Sequence, residues 1–330
     1  MNQGFRGLNR QRKNPRNLVV TQVALPTEQQ SGALFFRERH QRFIHLAKEF
    51  GPLRRIIRGL EVFKTTGQRL SQPVAALDLL KAQAGLIVLG DPGAGKTTFM
   101  KHLALHMALG RPDVLGMNPY IPFVLPLSAY ANRLAQGDIP LDRYIVEYYA
   151  GLDDALAIGP ILEEALQHGR ALLLLDGLDE VKDDGKDTAR RRIVVDQVVH
   201  FFSARRRQGI KFVLTSRIVG YREVRPSAEG LAEATLVDFD AEEIESFVEK
   251  WTAAVELAAR GRTPVAAQEA AQQRAALLSA VERNPGVRRL ASNPLLLTIL
   301  ALMQRQGVTL PERRVELYRS YVDTLLKHWN

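Results

Sequence analysis

Five short apolar runs are set into an otherwise mixed pattern: Leu86 to Leu89, Tyr120 to Leu127, Ala171 to Leu175, Lys211 to Thr215 and Ala234 to Phe239. Apolar runs of this length, without polar alternation, are what parallel strands buried on both faces require. Between them the apolar positions recur at helical spacing, over Pro73–Gln83, the stretch that starts at Thr97, Leu141–Ala150, Pro160–Gln167 and Thr188–Arg207. Strands alternating with helices predict an α/β domain: a central, mainly parallel five-stranded sheet between two helical layers. After Asp240 the strand signals stop. Helical periodicity fills the remainder, over Ala241–Arg260, Val265–Arg283, Val287–Gln306 and Pro311–Trp329. Asp240 is a good cap, with Glu242 and Glu243 in the first turn. Asn284-Pro285-Gly286, Asn293-Pro294 and Gly307 punctuate these helices. The alanine-rich segment 252–283 reads as an insertion or an exposed arm.

The N-terminal part has another character. Residues 1–32 are polar and basic, with no acid before Glu28, and are expected to be a disordered arm with one short apolar run, Leu18 to Val23. Residues 33–72 read as a basic helical linker. From Ala33 to about Leu60, Phe36, Phe43, Ile44, Leu46, Ala47 and Phe50 sit near helical spacing, opposite Arg37, Arg39, Arg42 and Lys48. Charge follows the same division. The net +9 belongs to residues 1–70, which hold fourteen Lys/Arg against four Asp/Glu, and the rest is near neutral. Such a stretch admits contact with nucleic acid or an acidic surface. No aromatic interleaving or nucleic-acid motif accompanies it, so a solvated helix face or linker is the simpler reading. There is no cysteine, which excludes disulfides, thiolate catalysis and cysteine-held metals and suits a cytoplasmic location. No apolar run reaches the length of a membrane span, and the first residues do not form a secretory signal.

The strongest chemical signal follows the first strand. Gly90, Asp91, Pro92, Gly93, Ala94, Gly95, Lys96 and Thr97 fit G-x-x-x-x-G-K-[ST], with Thr98 next in the helix. Glycines let successive amides curl around phosphate oxygens, and the helix end adds its positive pole. Lys96 supplies a point charge for the β- and γ-phosphates, and the Thr97 hydroxyl is placed for Mg²⁺. A strand before and a helix after are the context this motif needs, and they predict the three-layer fold of P-loop NTPases.

The run at Ala171 to Leu175 ends in Asp176, Asp179 and Glu180. A carboxylate at that strand end, expected on a strand next to the loop's own, can hold Mg²⁺, making Thr97 and Asp176 the metal candidates. A second acid can orient or deprotonate an attacking water. Arg217 closes the Lys211 to Thr215 run, where a cation can meet the γ-phosphate or pair with a neighbouring acid. Lys96, Asp176, Asp179, Glu180 and Arg217 are therefore the catalytic candidates. His102 and His106 have metal-pair spacing but no accompanying acid, so packing is expected. The arginine runs 190–192 and 205–207 read as solvated faces. A GTPase would need N/T-K-x-D and a D-x-x-G after the second strand, and both are missing.

GDPGAGKTT (90–98), LLLLDGLDE (172–180), LTSR (214–217), NPLLLTILALM (293–303) and LPERRVELYRSYVDTLLKHW (310–329) together resemble the NACHT family. These are STAND-class P-loop signal-transduction NTPases, and the likeness is to a bacterial version over about residues 75–330. It implies a NACHT domain over 73–240 and an all-helical subdomain over 241–330. It implies ATP and ADP as ligands with Mg²⁺, slow hydrolysis, and an ATP state that opens and self-associates, in bacterial regulation or defence. The trigger and effector partners are not implied. By matching position, Pro294 would approach the adenine, Lys96 and Thr97 would serve phosphate and Mg²⁺, Asp176 the Mg²⁺, Glu180 the water and Arg217 the γ-phosphate. The family continues into a winged-helix subdomain and a sensor array, and neither is matched before Asn330. A nucleic-acid-binding ATPase working through the arm, and a non-hydrolysing nucleotide-dependent scaffold, are the competing functions.

Overall fold

The computed structural model describes residues 56–58, 73–152, 157–182 and 189–328. The expected arm, the Leu18 to Val23 run and the Ala33–Phe50 helix pattern lie outside the described residues. Inside the expected linker, β1 (Ile56–Arg58) is a strand, paired antiparallel with β2 (Pro73–Ala75). The helix expected from Pro73 therefore starts only at Ala76, as α1 (Ala76–Ala82). Proline is tolerated at the start of a strand, and Val74 adds β propensity.

The main sheet holds β3 (Gly85–Leu89), β4 (Ile121–Pro126), β5 (Ala171–Asp176), β6 (Lys211–Ser216) and β7 (Leu231–Thr235). Their order is β4-β5-β6-β3-β7, and every neighbouring pair is parallel. The expected fold class is thus present. One detail differs: β6 lies between β3 and β5, so the loop strand and the acid strand are not neighbours.

The apolar runs are explained by two-sided burial. Ile87, Leu89, Leu173, Leu175, Phe212 and Leu214 face one core. There they meet α4 (Leu127–Leu134), α5 (Leu141–Ala150), α6 (Ile158–Gln167) and α7 (Ala189–Arg205) through Tyr130, Tyr144, Leu162 and Phe202. Leu86, Val88, Leu172, Leu174 and Val213 face the other. It is closed by α1, α2 (Lys96–Ala108) and α3 (Pro112–Leu115) through Leu80, Phe99, Leu103 and Leu115. Each such leucine contributes roughly 2 kcal/mol by leaving water. The edge strand β4 is shielded by Tyr149 of α5. Its hydroxyl accepts from the Val124 N–H at 2.8 Å and donates to the Val124 carbonyl at 3.1 Å. Two ladder groups that would template another strand are thereby closed. Burial pushes the Tyr149 phenol up to about 12, so this lock stays protonated.

Two expected boundaries are corrected. The last strand is Leu231–Thr235, not Ala234–Phe239. Its partner β3 ends at Leu89, opposite Thr235, so the ladder stops there. Leu236 is buried with the sheet face that α2 covers, and Phe239 joins the core of the helical region. The long helix expected over Val287–Gln306 is two: α11 (Pro285–Ala291) and α12 (Pro294–Arg305). Ahead of them come α9 (Ala241–Arg260) and α10 (Pro264–Arg283), and α13 (Arg314–His328) follows.

Three of these helices begin with a cap followed by proline: Thr263-Pro264, Asn284-Pro285 and Asn293-Pro294. Proline at the first helical position gives up an amide that has no helical partner. α9 starts with a full capping box between Asp240 and Glu243. The alanine-rich segment is not an exposed arm, because Val255, Leu277 and Val281 join the core of the helical region. Under them Glu256 is fully buried, taking hydrogen bonds from Arg260 Nε and Arg305 Nε, both at 2.8 Å, and Gln273 Nε2 at 3.1 Å. Burial pushes this carboxyl up. The hydrogen bonds from Arg305 and Arg260 outweigh that and hold it below the usual carboxylate range.

The arginine runs are also not plain solvated faces. Arg191 donates to the Val181 carbonyl and to Glu223 at the end of α8 (Ile218–Glu223), Arg205 to Asp142, and Arg206 pairs with Glu229. His102 and His106 pack edge to face at 4.4 Å with buried ring nitrogens that have no partner. Burial pushes His102 down to about 4, and it lowers His106 as well. Both are neutral packing residues, as expected.

Candidate functional site

The loop between β3 and α2 takes its shape from glycine. Gly93 and Gly95 have φ of 77° and 83°, a region that side chains other than glycine's enter only with strain. At Gly93 space forbids a side chain as well, since a Cβ would lie 2.7 Å from Leu295 Cβ and 2.9 Å from Asn293 Oδ1. Gly95 starts α2 without any capping side chain, which leaves the first-turn amides open to an anion. Lys96 folds over this loop, donating to Gly90 O at 2.7 Å and Asp91 O at 3.1 Å. Burial lowers its pKa. Asp179, Asp176 and Asp91 pull it back, while Arg217 adds to the lowering. Ala94 is buried beneath the loop, whereas Asp91, Pro92, Thr97 and Thr98 are exposed.

Although β6 separates their strands, Thr97 and Asp176 meet. Thr97 Oγ1 lies 3.2 Å from Asp176 Oδ1. The same oxygen receives the Thr215 hydroxyl at 2.5 Å, and Thr215 Oγ1 accepts the Gly177 N–H at 2.9 Å. Asp176 Oδ2 has no protein partner among the described residues. A hydroxyl and a carboxylate are hard oxygen donors, of the kind that hold Mg²⁺ together with phosphate oxygens. No three His, Cys, Asp or Glu side chains gather into a metal cage among the described residues. The donor set therefore fits a Mg²⁺ shared with a phosphate ligand.

The two acids beyond Asp176 part company. Asp179 is engaged on both oxygens by Arg217: the backbone N–H reaches Oδ1 at 2.9 Å and Nε reaches Oδ2 at 2.9 Å. Arg217 is thus in the ion pair that its position also allowed, half-exposed at the mouth of the site. The Glu180 carboxylate is exposed and has no protein partner among the described residues. Of the pair, Glu180 is the one free to act on a water.

The helical region reaches this loop directly. Asn293 donates from Nδ2 to Pro92 O at 3.2 Å, and the Leu295 N–H donates to Gly93 O at 3.3 Å. Asn293 Oδ1 meanwhile caps α12, accepting from Leu295 and Leu296 N–H. Pro294 lies between these two residues in the chain, as the first residue of α12. An open hollow of about 440 Å³ beside Arg283, Asn284 and Leu310 includes none of these residues.

Sequence reasoning gave Thr215 and Asn293 no place in the site. Both left a trace. A threonine just before the end of a buried strand must satisfy its hydroxyl. An asparagine cap uses only its oxygen, which leaves an amide group in need of an acceptor.

The NACHT domain family matches residues 85–255, just over half of the chain. No curated protein matches it. The matched span holds the phosphate loop, all the strands of the main sheet and the acids at the end of β5. The chain belongs to the NACHT family, and is thereby a nucleotide-binding P-loop NTPase.

Proposed function

We propose that this protein is a slowly hydrolysing ATP switch in which the nucleotide in the loop decides how the helical region is seated. The observation that carries this reading is the clasp of Asn293 and Leu295 on Pro92 and Gly93. A phosphate entering the loop draws Lys96 away from Gly90 O and Asp91 O, the carbonyls just before the clasped ones. Any adjustment there reaches the first turn of α12 through two hydrogen bonds. ADP and ATP differ at the γ-phosphate, so the two seat α12 differently.

The roles are these. Gly90 to Thr98 line the phosphates, Lys96 binds the β- and γ-phosphates, and Pro294 faces the adenine. Thr97 and Asp176 hold Mg²⁺, which neutralises phosphate charge when bound. Glu180 orients the water, Arg217 responds to the γ-phosphate, and Asp179 keeps Arg217 in place. The missing guanine-reading motif favours ATP over GTP. No helix is long and apolar enough to cross a membrane among the described residues. Val315, Tyr318 and Val322 make an exposed apolar stripe on α13, the kind of surface that self-association covers.

The test is sizing with different nucleotides. With ADP the protein should run as a monomer. With a non-hydrolysable ATP analogue it should form a larger species, and with ATP that species should decay as hydrolysis proceeds. Asn293→Asp keeps the cap but replaces the donor to Pro92 O by an acceptor. It should weaken the dependence of size on nucleotide. One size under all conditions, with nucleotide bound, would refute the switch.

A further inference from the structure

Strand β6 does more than separate the loop strand from the acid strand. Thr215, fully buried near its end, has a hydroxyl with two hydrogen-bond partners among the described residues, and the chemistry of one sets the role of the other. The Gly177 N–H can only donate, so Thr215 Oγ1 must accept from it at 2.9 Å. The single hydroxyl proton is then directed at Asp176 Oδ1, 2.5 Å away. Gly177 can turn its amide this way because it sits in the left-handed region, with φ of 77°. A Cβ there would come within 3.0 Å of Glu180 Cδ.

The consequence is a carboxylate whose two oxygens are no longer equivalent. Oδ1 is held by the Thr215 and Thr97 hydroxyls, and Oδ2 has no protein partner among the described residues. We propose that Thr215 is the positioning residue of the site: its buried hydroxyl fixes the Asp176 carboxylate so that Oδ2 is the oxygen presented to the Mg²⁺ that accompanies the nucleotide. The inference rests on the reading of Thr97 and Asp176 as the Mg²⁺ residues. It adds a residue that touches neither metal nor nucleotide. Thr215 orients the acid, and the Gly177 amide orients Thr215. Outer-shell partners of this kind set metal affinity by fixing the ligand's direction.

The test is equilibrium binding of ADP, measured by calorimetry over a Mg²⁺ titration. Thr215→Val keeps the shape and deletes the hydroxyl. In the wild type Mg²⁺ should tighten ADP binding. In Thr215→Val, ADP affinity without Mg²⁺ should stay within about twofold, while the Mg²⁺ concentration giving half of the tightening rises about tenfold or more. Thr215→Ser, which restores the hydroxyl, should return it to within about threefold of wild type. Should Thr215→Val not fold, Thr215→Cys is read in its place, because a thiol is a weak donor.

A Thr215→Val protein with the wild-type Mg²⁺ dependence overturns the inference alone. So does a serine variant as impaired as the valine one. A wild-type protein that binds ADP without help from Mg²⁺ removes the metal role of Thr97 and Asp176, and the inference with it.

Discussion

Lys96→Ala should strongly weaken nucleotide binding. The ammonium already sits in the curl of the loop, held by Gly90 O and Asp91 O, with Asp176 and Asp179 close enough to influence its charge. In this half-buried place water screens poorly, and a charge-assisted contact to phosphate is correspondingly strong. Its loss amounts to about 2–4 kcal/mol, or roughly 30-fold to nearly 1000-fold in affinity for ADP or ATP. The fold should tolerate the change. Alanine is a good helix former at the start of α2, and of the two released carbonyls Asp91 O is at an exposed position where water can replace the ammonium. Calorimetry with ADP and Mg²⁺, beside a thermal melt, checks both halves. A variant that keeps submicromolar ATP affinity would contradict the placement of phosphate in this loop.

The second large effect is on stability. Glu256→Ala should destabilise the helical region by about 2–3 kcal/mol, because two arginines and Gln273 lose a shared, fully buried acceptor. The figure lies below that for a fully buried ion pair, since Arg260 and Arg305 are partly exposed and can rehydrate.

The pH dependence has a definite sign. The folded-state pKa of Glu256 is depressed, so its contribution is complete above the unfolded pKa of about 4.3 and disappears as pH falls through the lower folded value. In urea unfolding, wild type should exceed Glu256→Gln at neutral pH, and the gap should close on acidification from about pH 4.5 downward. A gap that is absent at neutral pH, or unchanged in acid, would mean the charge on Glu256 contributes nothing.

What was legible in the sequence follows from how each element is buried. β3, β5 and β6 are central and covered on both faces, so their apolar runs are continuous and mark them well. β7 is an edge strand. Glu233 within it pairs with Arg225, which interrupts the apolar signal, while Leu236 and Phe239 beyond it are apolar for other reasons. The reading therefore slid toward the wrong residues.

The order of strands is carried by crossover connections, which no local pattern reports, and the place of β6 between loop and acid was missed for that reason. The phosphate loop was readable because its chemistry is local: turn, amides, lysine and hydroxyl come from nine consecutive residues. Thr215 and Asn293 act at Asp176 and Pro92, which are 39 and 201 positions away, and only the folded chain brings them there. Arg217 shows the same limit. Its strand-end position allowed a γ-phosphate contact or an ion pair, and the choice of Asp179 as its partner depends on how α8 packs beside residues 178–180.

Nucleotide and helical region should communicate through the first turn of α12. Amide hydrogen exchange at Leu295 and Leu296 reads this turn directly, because the Leu295 N–H faces Gly93 O and both amides rest on the Asn293 cap. Exchange there should differ between the ADP-bound protein and the protein with a non-hydrolysable ATP analogue, and the difference should shrink in Asn293→Asp. Equal exchange in the two nucleotide states, with both nucleotides bound, would contradict the account.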